Sequence, residues 1–188
     1  FLRGIEVAHL PTTLLAQVDA AIGGKTGVDL PEGKNLVGLF HHPALVVADT
    51  AWLGTLPREA LRCGLVEAIK MAALLAPELL ARIERDLDRL LAGDAAALGP
   101  GVAAAAGVKA AVVARDPEER GERALLNFGH TLGHALEAAA GFGALAHGDA
   151  VAWGIRFALD LARERGWAAD LARSEEHTSE LQSLRVIS

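Results

Sequence analysis

Leu79-Leu80-Ala81-Arg82-Ile83-Glu84-Arg85-Asp86-Leu87-Asp88-Arg89-Leu90-Leu91 sets the character of the larger part of the chain. Leu79, Leu80, Ile83, Leu87, Leu90 and Leu91 recur three and four residues apart, with Arg82, Glu84, Arg85, Asp86 and Asp88 between them. That spacing puts the apolar groups on one stripe of a helix and the charges on the opposite face. Gly93 then supplies a stop. Outward from this segment, everything after Pro57 keeps a helical pattern. The alanine-rich stretch 102–114 reads as another helix. Residues 123–140 and 148–166 read as two more, divided by a loop over 141–147 and ended by Gly166. Upstream, the pattern changes. Gly23-Gly24-Lys25-Thr26-Gly27 and Pro31-Glu32-Gly33-Lys34-Asn35 are loop signals, and Ala44-Leu45-Val46-Val47-Ala48 reads as a short buried strand. The expectation is an α/β part over residues 1–56 and an all-α part over 57–172.

Composition bounds the function. The chain has 188 residues, enough for one domain or two small ones. Hydrophobic residues make up 52% and charged residues 22%, which excludes global disorder. Cys63 is the single cysteine, so a disulfide scaffold is excluded. A net charge of -6 argues against a nucleic-acid partner. No apolar run is expected to span a bilayer, because Lys109 interrupts the alanine-rich stretch after Gly101. A cytoplasmic location with no membrane partner follows. The alanine-rich helices bury little area per residue, and the first third offers too few strands for a complete sheet, so a piece of a larger protein is expected. The stretch Arg173-Ser174-Glu175-Glu176-His177-Thr178-Ser179-Glu180-Leu181-Gln182-Ser183 resembles a sequencing adapter read as coding DNA. Residues 173–188 are therefore set apart from fold reasoning.

Several motifs carry chemistry. Gly24-Lys25-Thr26 invites a nucleotide-binding P-loop reading, but Asp19 occupies the position where that pattern needs glycine. A glycine-rich loop with a lysine still suits a phosphate or carboxylate, and Lys34-Asn35 makes a second such loop. In Asn127-Phe128-Gly129-His130-Thr131-Leu132-Gly133-His134, His130 and His134 are four apart and share a helix face. His147 adds a third imidazole at a helix start. Glu67 sits in an otherwise apolar helix, where a carboxylate is costly unless paired or metal-bound. Lys70, three residues on, offers a salt bridge as the plain alternative. Three nitrogen or oxygen ligands with an open position is the pattern of catalytic zinc. Spacing alone does not say which three of Glu67, His130, His134 and His147 would bind. Lys25, Lys34, Lys70, Lys109 and Arg123 surround these groups in sequence and suggest a small anionic substrate.

Together these segments resemble the 3-dehydroquinate synthase family. The matching stretches are Pro11-Thr12-Thr13-Leu14-Leu15-Ala16-Gln17-Val18-Asp19, Ile22-Gly23-Gly24-Lys25-Thr26-Gly27-Val28, Gly33-Lys34-Asn35-Leu36-Val37-Gly38, residues 64–70, Leu125-Leu126-Asn127-Phe128-Gly129-His130-Thr131, Gly133-His134-Ala135 and His147-Gly148. The resemblance implies the C-terminal part of an NAD-binding, Rossmann-like α/β domain over 1–56 and an incomplete helical zinc domain over 57–172. It implies Glu67, His130 and His147 as ligands of zinc or cobalt, with His134 either supporting those ligands from behind or in proton transfer. Thr12, Thr13, Lys25, Lys34, Trp52, Leu53, Gly54 and Thr55 would contact NAD or support its site. Asp19, Lys25, Lys34, Asn35, Lys70, Lys109, Arg123 and Asn127 would line the substrate pocket, with Arg3 reaching it from a neighbouring subunit of a homodimer. The implied substrate is 3-deoxy-D-arabino-heptulosonate 7-phosphate, and the implied product is 3-dehydroquinate. Two departures stand out. The Arg58-Glu59 pair falls one place earlier than the family usually has it, and Val66 replaces the usual alanine beside Glu67.

Three other readings compete. A different sugar-phosphate cyclase would share the NAD and metal chemistry, but Lys109, Arg123, Asn127 and His134 fit a carboxylated substrate. A metal-dependent polyol dehydrogenase would need no set of phosphate-binding cations. A non-catalytic helical module would need no meeting of Glu67 and the histidines.

Overall fold

The computed structural model describes residues 5–30, 33–141 and 143–167, without the side chains of residues 29 and 33–35. Arg3, the segment 173–188 and the side chains of Lys34 and Asn35 lie outside that description. The chain packs as two compact units, Phe1–Ala124 and Leu125–Ser188.

In unit 1, β1 (Ala8–His9) pairs in parallel with β4 (Leu45–Val46), Ala8 opposite Leu45 and His9 opposite Val46. Between them, β2 (Lys25–Leu30) and β3 (Gly33–Phe40) form an antiparallel hairpin with an irregularity between Val28 and Leu30. Two expectations change here. Lys25 to Gly27 and Gly33 to Asn35 belong to strands rather than loops. The strand expected over 44–48 shrinks to two residues and is not buried, Leu45 being exposed. The glycines that read as loop signals do mark a tight turn just upstream, where Gly23 and Gly24 take φ of 112° and 66°.

Three α-helices complete the described part of unit 1. α1 (Arg58–Leu75) buries a continuous run from Gly64 to Ala72, the charged pair Glu67 and Lys70 included. Gly64 is required by packing: a Cβ there would lie 2.5 Å from the Leu15 backbone nitrogen. α2 (Pro77–Leu91) opens with proline in its first turn, where no amide donor is needed. It buries Leu79, Leu80, Ile83, Leu90 and Leu91, as the periodicity requires, and Gly93 turns the chain at φ 77°.

α3 (Ala95–Arg115) starts seven residues before the expected 102. The Asp94 carboxylate caps it, accepting from the Ala96 amide at 2.8 Å, and Pro100 lies inside it. By length and composition α3 is apolar enough to cross a membrane, so Lys109 does not interrupt it as expected. It packs against α1, α2 and the short π-helix Ala16–Ala20, and buries Leu98, Val102, Ala105 and Val112.

Unit 2 holds α4 (His130–Ala140) and α5 (His147–Glu164). The expected helix 123–140 is broken at Gly129, which takes a left-handed φ of 81° after a 3-10 segment, Glu122–Asn127. The break lets the backbones touch. A Cβ on Gly129 would lie 2.6 Å from the Ile155 side chain, and one on Gly133 would lie 3.2 Å from the Ala150 carbonyl oxygen. Gly129, Gly133 and Gly154 thus form a side-chain-free seam along α4 and α5.

Candidate metal and anion sites

Unit 2 gathers the three histidines of the sequence motifs. His130 opens α4, His134 lies one turn further on the same face, and His147 opens α5. Their ring centroids lie 5.3 Å (His130–His134), 5.4 Å (His130–His147) and 6.3 Å (His134–His147) apart. The glycine seam makes this possible, because it lets α4 and α5 pack backbone to backbone, Gly129 against Gly154 and Ile155 and Gly133 against Ala150. A fourth group joins them that the motif reading missed. Glu137 is 3% exposed, and its Oε1 stands 3.4 Å from His147 Nδ1. The signal was present as an acidic residue three positions after His134 on the same face. His130 Nδ1 lies 3.3 Å from the Phe128 carbonyl, which fixes the ring's orientation. Imidazoles and a buried carboxylate suit a borderline divalent ion such as Zn2+ or Co2+, so the donor set fits the implied metal.

Unit 1 holds the cations. Glu67 is fully buried on α1, and its Oε2 accepts from the Lys70 ammonium, itself 2% exposed. The plain salt-bridge reading of this pair is therefore seen. Lys109 Nζ donates to both the carboxylate and the carbonyl oxygen of Asp19, the latter at 2.8 Å. Burial pushes the Lys109 ammonium below its ordinary range, and Asp19 opposes that. Lys25 is exposed and pairs with Glu119.

Arg123 is 2% exposed. Its guanidinium donates to the Gly23 and Pro117 carbonyls, each at 2.6 Å, and lies 5.8 Å from the Phe40 ring centroid. The Asp116 carboxylate accepts the Arg120, Gly121 and Arg123 amides, and these backbone bonds hold its carboxyl below the usual range. Arg123 is thus anchored from its own backbone outward, and it clamps the turn that leads into Lys25.

The segments expected to meet NAD follow the carboxyl ends of the parallel strands. Thr12 and Thr13 come after β1, and the 3-10 segment Thr50–Thr55, containing Trp52, Leu53, Gly54 and Thr55, comes after β4. Ligands of parallel α/β sheets sit at that end. Thr12, Thr13 and Trp52 are exposed, whereas Leu53 is fully buried and supports the segment from within. Gln17, also unflagged in the sequence, is fully buried. It ties the two loops together by donating to the Pro11 carbonyl at 3.1 Å and the Asp49 carbonyl at 2.8 Å. A lone amide inside the apolar run Leu14-Leu15-Ala16-Gln17-Val18 was the available signal. Asn127 is exposed at the end of its 3-10 segment.

This architecture is that of the sugar-phosphate cyclases. All of the chain superposes on half (52%) of 2-epi-5-epi-valiolone synthase from Streptomyces hygroscopicus subsp. jinggangensis, solved with NAD+ and Zn2+ bound, at a TM-score of 0.84 and 31% identity. It likewise superposes on 50% of 2-deoxy-scyllo-inosose synthase, solved with carbaglucose-6-phosphate, NAD+ and Co2+, at a TM-score of 0.83 and 28% identity. Within that class the chain belongs to the 3-dehydroquinate synthase family: the 3-dehydroquinate synthase N-terminal model matches residues 1–63 and the C-terminal model matches residues 64–187. It is 55% identical over 170 residues to the 3-dehydroquinate synthase of Symbiobacterium thermophilum, covering 90% of this chain and 47% of that relative. With that of Acinetobacter baumannii it is 47% identical over 178 residues, covering 94% and 49%. The chain therefore spans about half the length of the curated relatives it matches.

Proposed function

We propose that this chain is the metal- and substrate-bearing segment of a 3-dehydroquinate synthase, a carbon–oxygen lyase acting on 3-deoxy-D-arabino-heptulosonate 7-phosphate. The observation that carries the reading is the convergence of His130, His134 and His147 in unit 2, for which a helical scaffold has no structural need. The division into the end of an NAD-binding α/β domain over 1–56, a helical domain over 57–172 and an extraneous tail belongs to the same proposal. So do homodimerisation of the complete protein and a cytoplasmic location. Glu67, His130 and His147 would hold the divalent ion, and Thr12, Thr13 and the segment 52–55 would meet NAD+. When bound, NAD+ accepts and returns a hydride and the metal ion acts as Lewis acid on the substrate's oxygens. In the net change, the C–O bond to phosphate breaks and a C–C bond closes the carbocycle.

The chain's own groups bind and orient. Lys70 and Lys109 are held by Glu67 and Asp19, so an incoming carboxylate or phosphate replaces one anionic partner with another rather than entering an empty cationic hole. Arg123 acts by fixing the Gly23 turn and with it Lys25. Lys34, Asn35, Asn127 and Arg3 are assigned to substrate on the family pattern alone. His134, exposed beside the other two imidazoles, is the proton carrier. Immobilising an acyclic end of the substrate against these groups supplies much of the rate.

The test is a chimera. Residues 1–167 replace the matching segment of the Symbiobacterium thermophilum relative, and phosphate release is measured with NAD+ and Zn2+. The proposal expects turnover that is lost with His147→Ala. A folded chimera that releases no phosphate overturns it. The 188-residue chain alone is expected to release none.

A further inference from the structure

We propose that the helical unit carries a second divalent-cation site of its own, formed by His134, Glu137 and His147. One ligand atom of each lies within 4.8 Å of the other two, entirely within unit 2. His134 and Glu137 are three residues apart on α4, a spacing that projects both side chains from one face. The glycine seam delivers His147 to that face, where its Nδ1 already approaches Glu137 Oε1 at 3.4 Å.

The chemistry suits an ion. A carboxylate taken out of water, as at Glu137, gains most from a nearby cation. Two imidazoles and one carboxylate leave a coordination position for water and select Zn2+ or Co2+ over the hard cations. Ligand atoms around such an ion stand roughly 3.3 Å apart, given bonds of about 2.0–2.1 Å. Closing from the present spacing calls for a rotation of His134, the one exposed member of the three. Because His147 is common to this set and to the set proposed above, one ion at a time can be held. The exposed His134 makes this second set the side from which an ion arrives. That loading role rests on the function proposed above; the site itself does not.

The test is Zn2+ titration calorimetry and Co2+ visible absorption on the whole chain in a Glu67→Gln background, which removes a ligand of the proposed catalytic set only. The site predicts that Glu67→Gln still binds one equivalent. It also predicts that adding either His134→Ala or Glu137→Gln weakens binding at least tenfold while circular dichroism stays unchanged. His130→Ala serves as a parallel background should Glu67→Gln not fold. Binding in either background that is indifferent to His134→Ala and Glu137→Gln, or absent altogether, overturns the site. Failure of the catalytic assignment has a different signature: Glu67→Gln and His130→Ala would each leave wild-type affinity unchanged.

Discussion

Replacing Arg123 by alanine removes the clamp of unit 1, and its cost can be worked from the contacts. Two charge-assisted hydrogen bonds of 2.6 Å are lost, to the Gly23 and Pro117 carbonyls. The Gly23 carbonyl bond is buried, so its acceptor is left without a partner and without easy access to water. That bond costs about 2–3 kcal/mol, and the partly exposed Pro117 bond about 1 kcal/mol. Loss of the guanidinium over Phe40 adds roughly 0.5–1 kcal/mol. The sum is about 4 kcal/mol. At about 2–4 °C per kcal/mol for a chain of this size, the thermal midpoint should fall by roughly 8–16 °C. Arg123→Lys keeps the charge but not the fork, and should lie between the two. Differential scanning calorimetry of the three proteins reads this directly. A fall of less than about 3 °C for Arg123→Ala would refute the clamp, because no combination of these costs is that small.

Other expectations follow from the same contacts. Gly64→Ala drives a Cβ to 2.5 Å from the Leu15 backbone, which cannot move aside as a side chain could, and should cost about 1–3 kcal/mol in urea unfolding. Gln17→Leu unties the loops after β1 and β4 and should cost about 1–3 kcal/mol, measured the same way. Lys109 binds its proton less tightly in the folded state than its ordinary 10.5. Between its folded value and 10.5 the unfolded chain holds more protons, so stability should rise with pH across that window. Lys109→Met should flatten this rise in urea melts taken at successive pH values, and an unchanged slope would contradict it.

Legibility in the sequence differed by element for physical reasons. α2 was readable because its apolar stripe and its terminal glycine agree. The start of α3 was hidden because Gly99, Pro100 and Gly101 are breakers by propensity. The Asp94 cap and the burial of Ala97 and Leu98 override them. The hairpin β2–β3 was hidden for a different reason. Val28, Leu36, Val37 and Leu39 are all exposed, so no alternation of buried and exposed residues marks the strands. At the site, His130, His134 and His147 could be named from spacing and order. Glu137 and Gln17 left only a weak local signal, an acid three residues after His134 and a lone amide in an apolar run, because each acts through a neighbour from another segment: His147 in one case, Asp49 in the other. The Gly129 break in the helix, which sets where α4 begins and hence where His130 sits, depends on the approach of Ile155, which no local pattern encodes.

The roles assigned to Glu67, His130, His134 and His147 turn on whether these residues hold a metal ion. Zinc K-edge X-ray absorption on the purified, zinc-loaded chain measures this most directly. The expected spectrum shows two imidazole nitrogens and carboxylate oxygen at about 2.0–2.1 Å, with one imidazole lost in His147→Ala. Zinc that washes off the folded chain, or a sulfur shell at about 2.3 Å from Cys63, would contradict it.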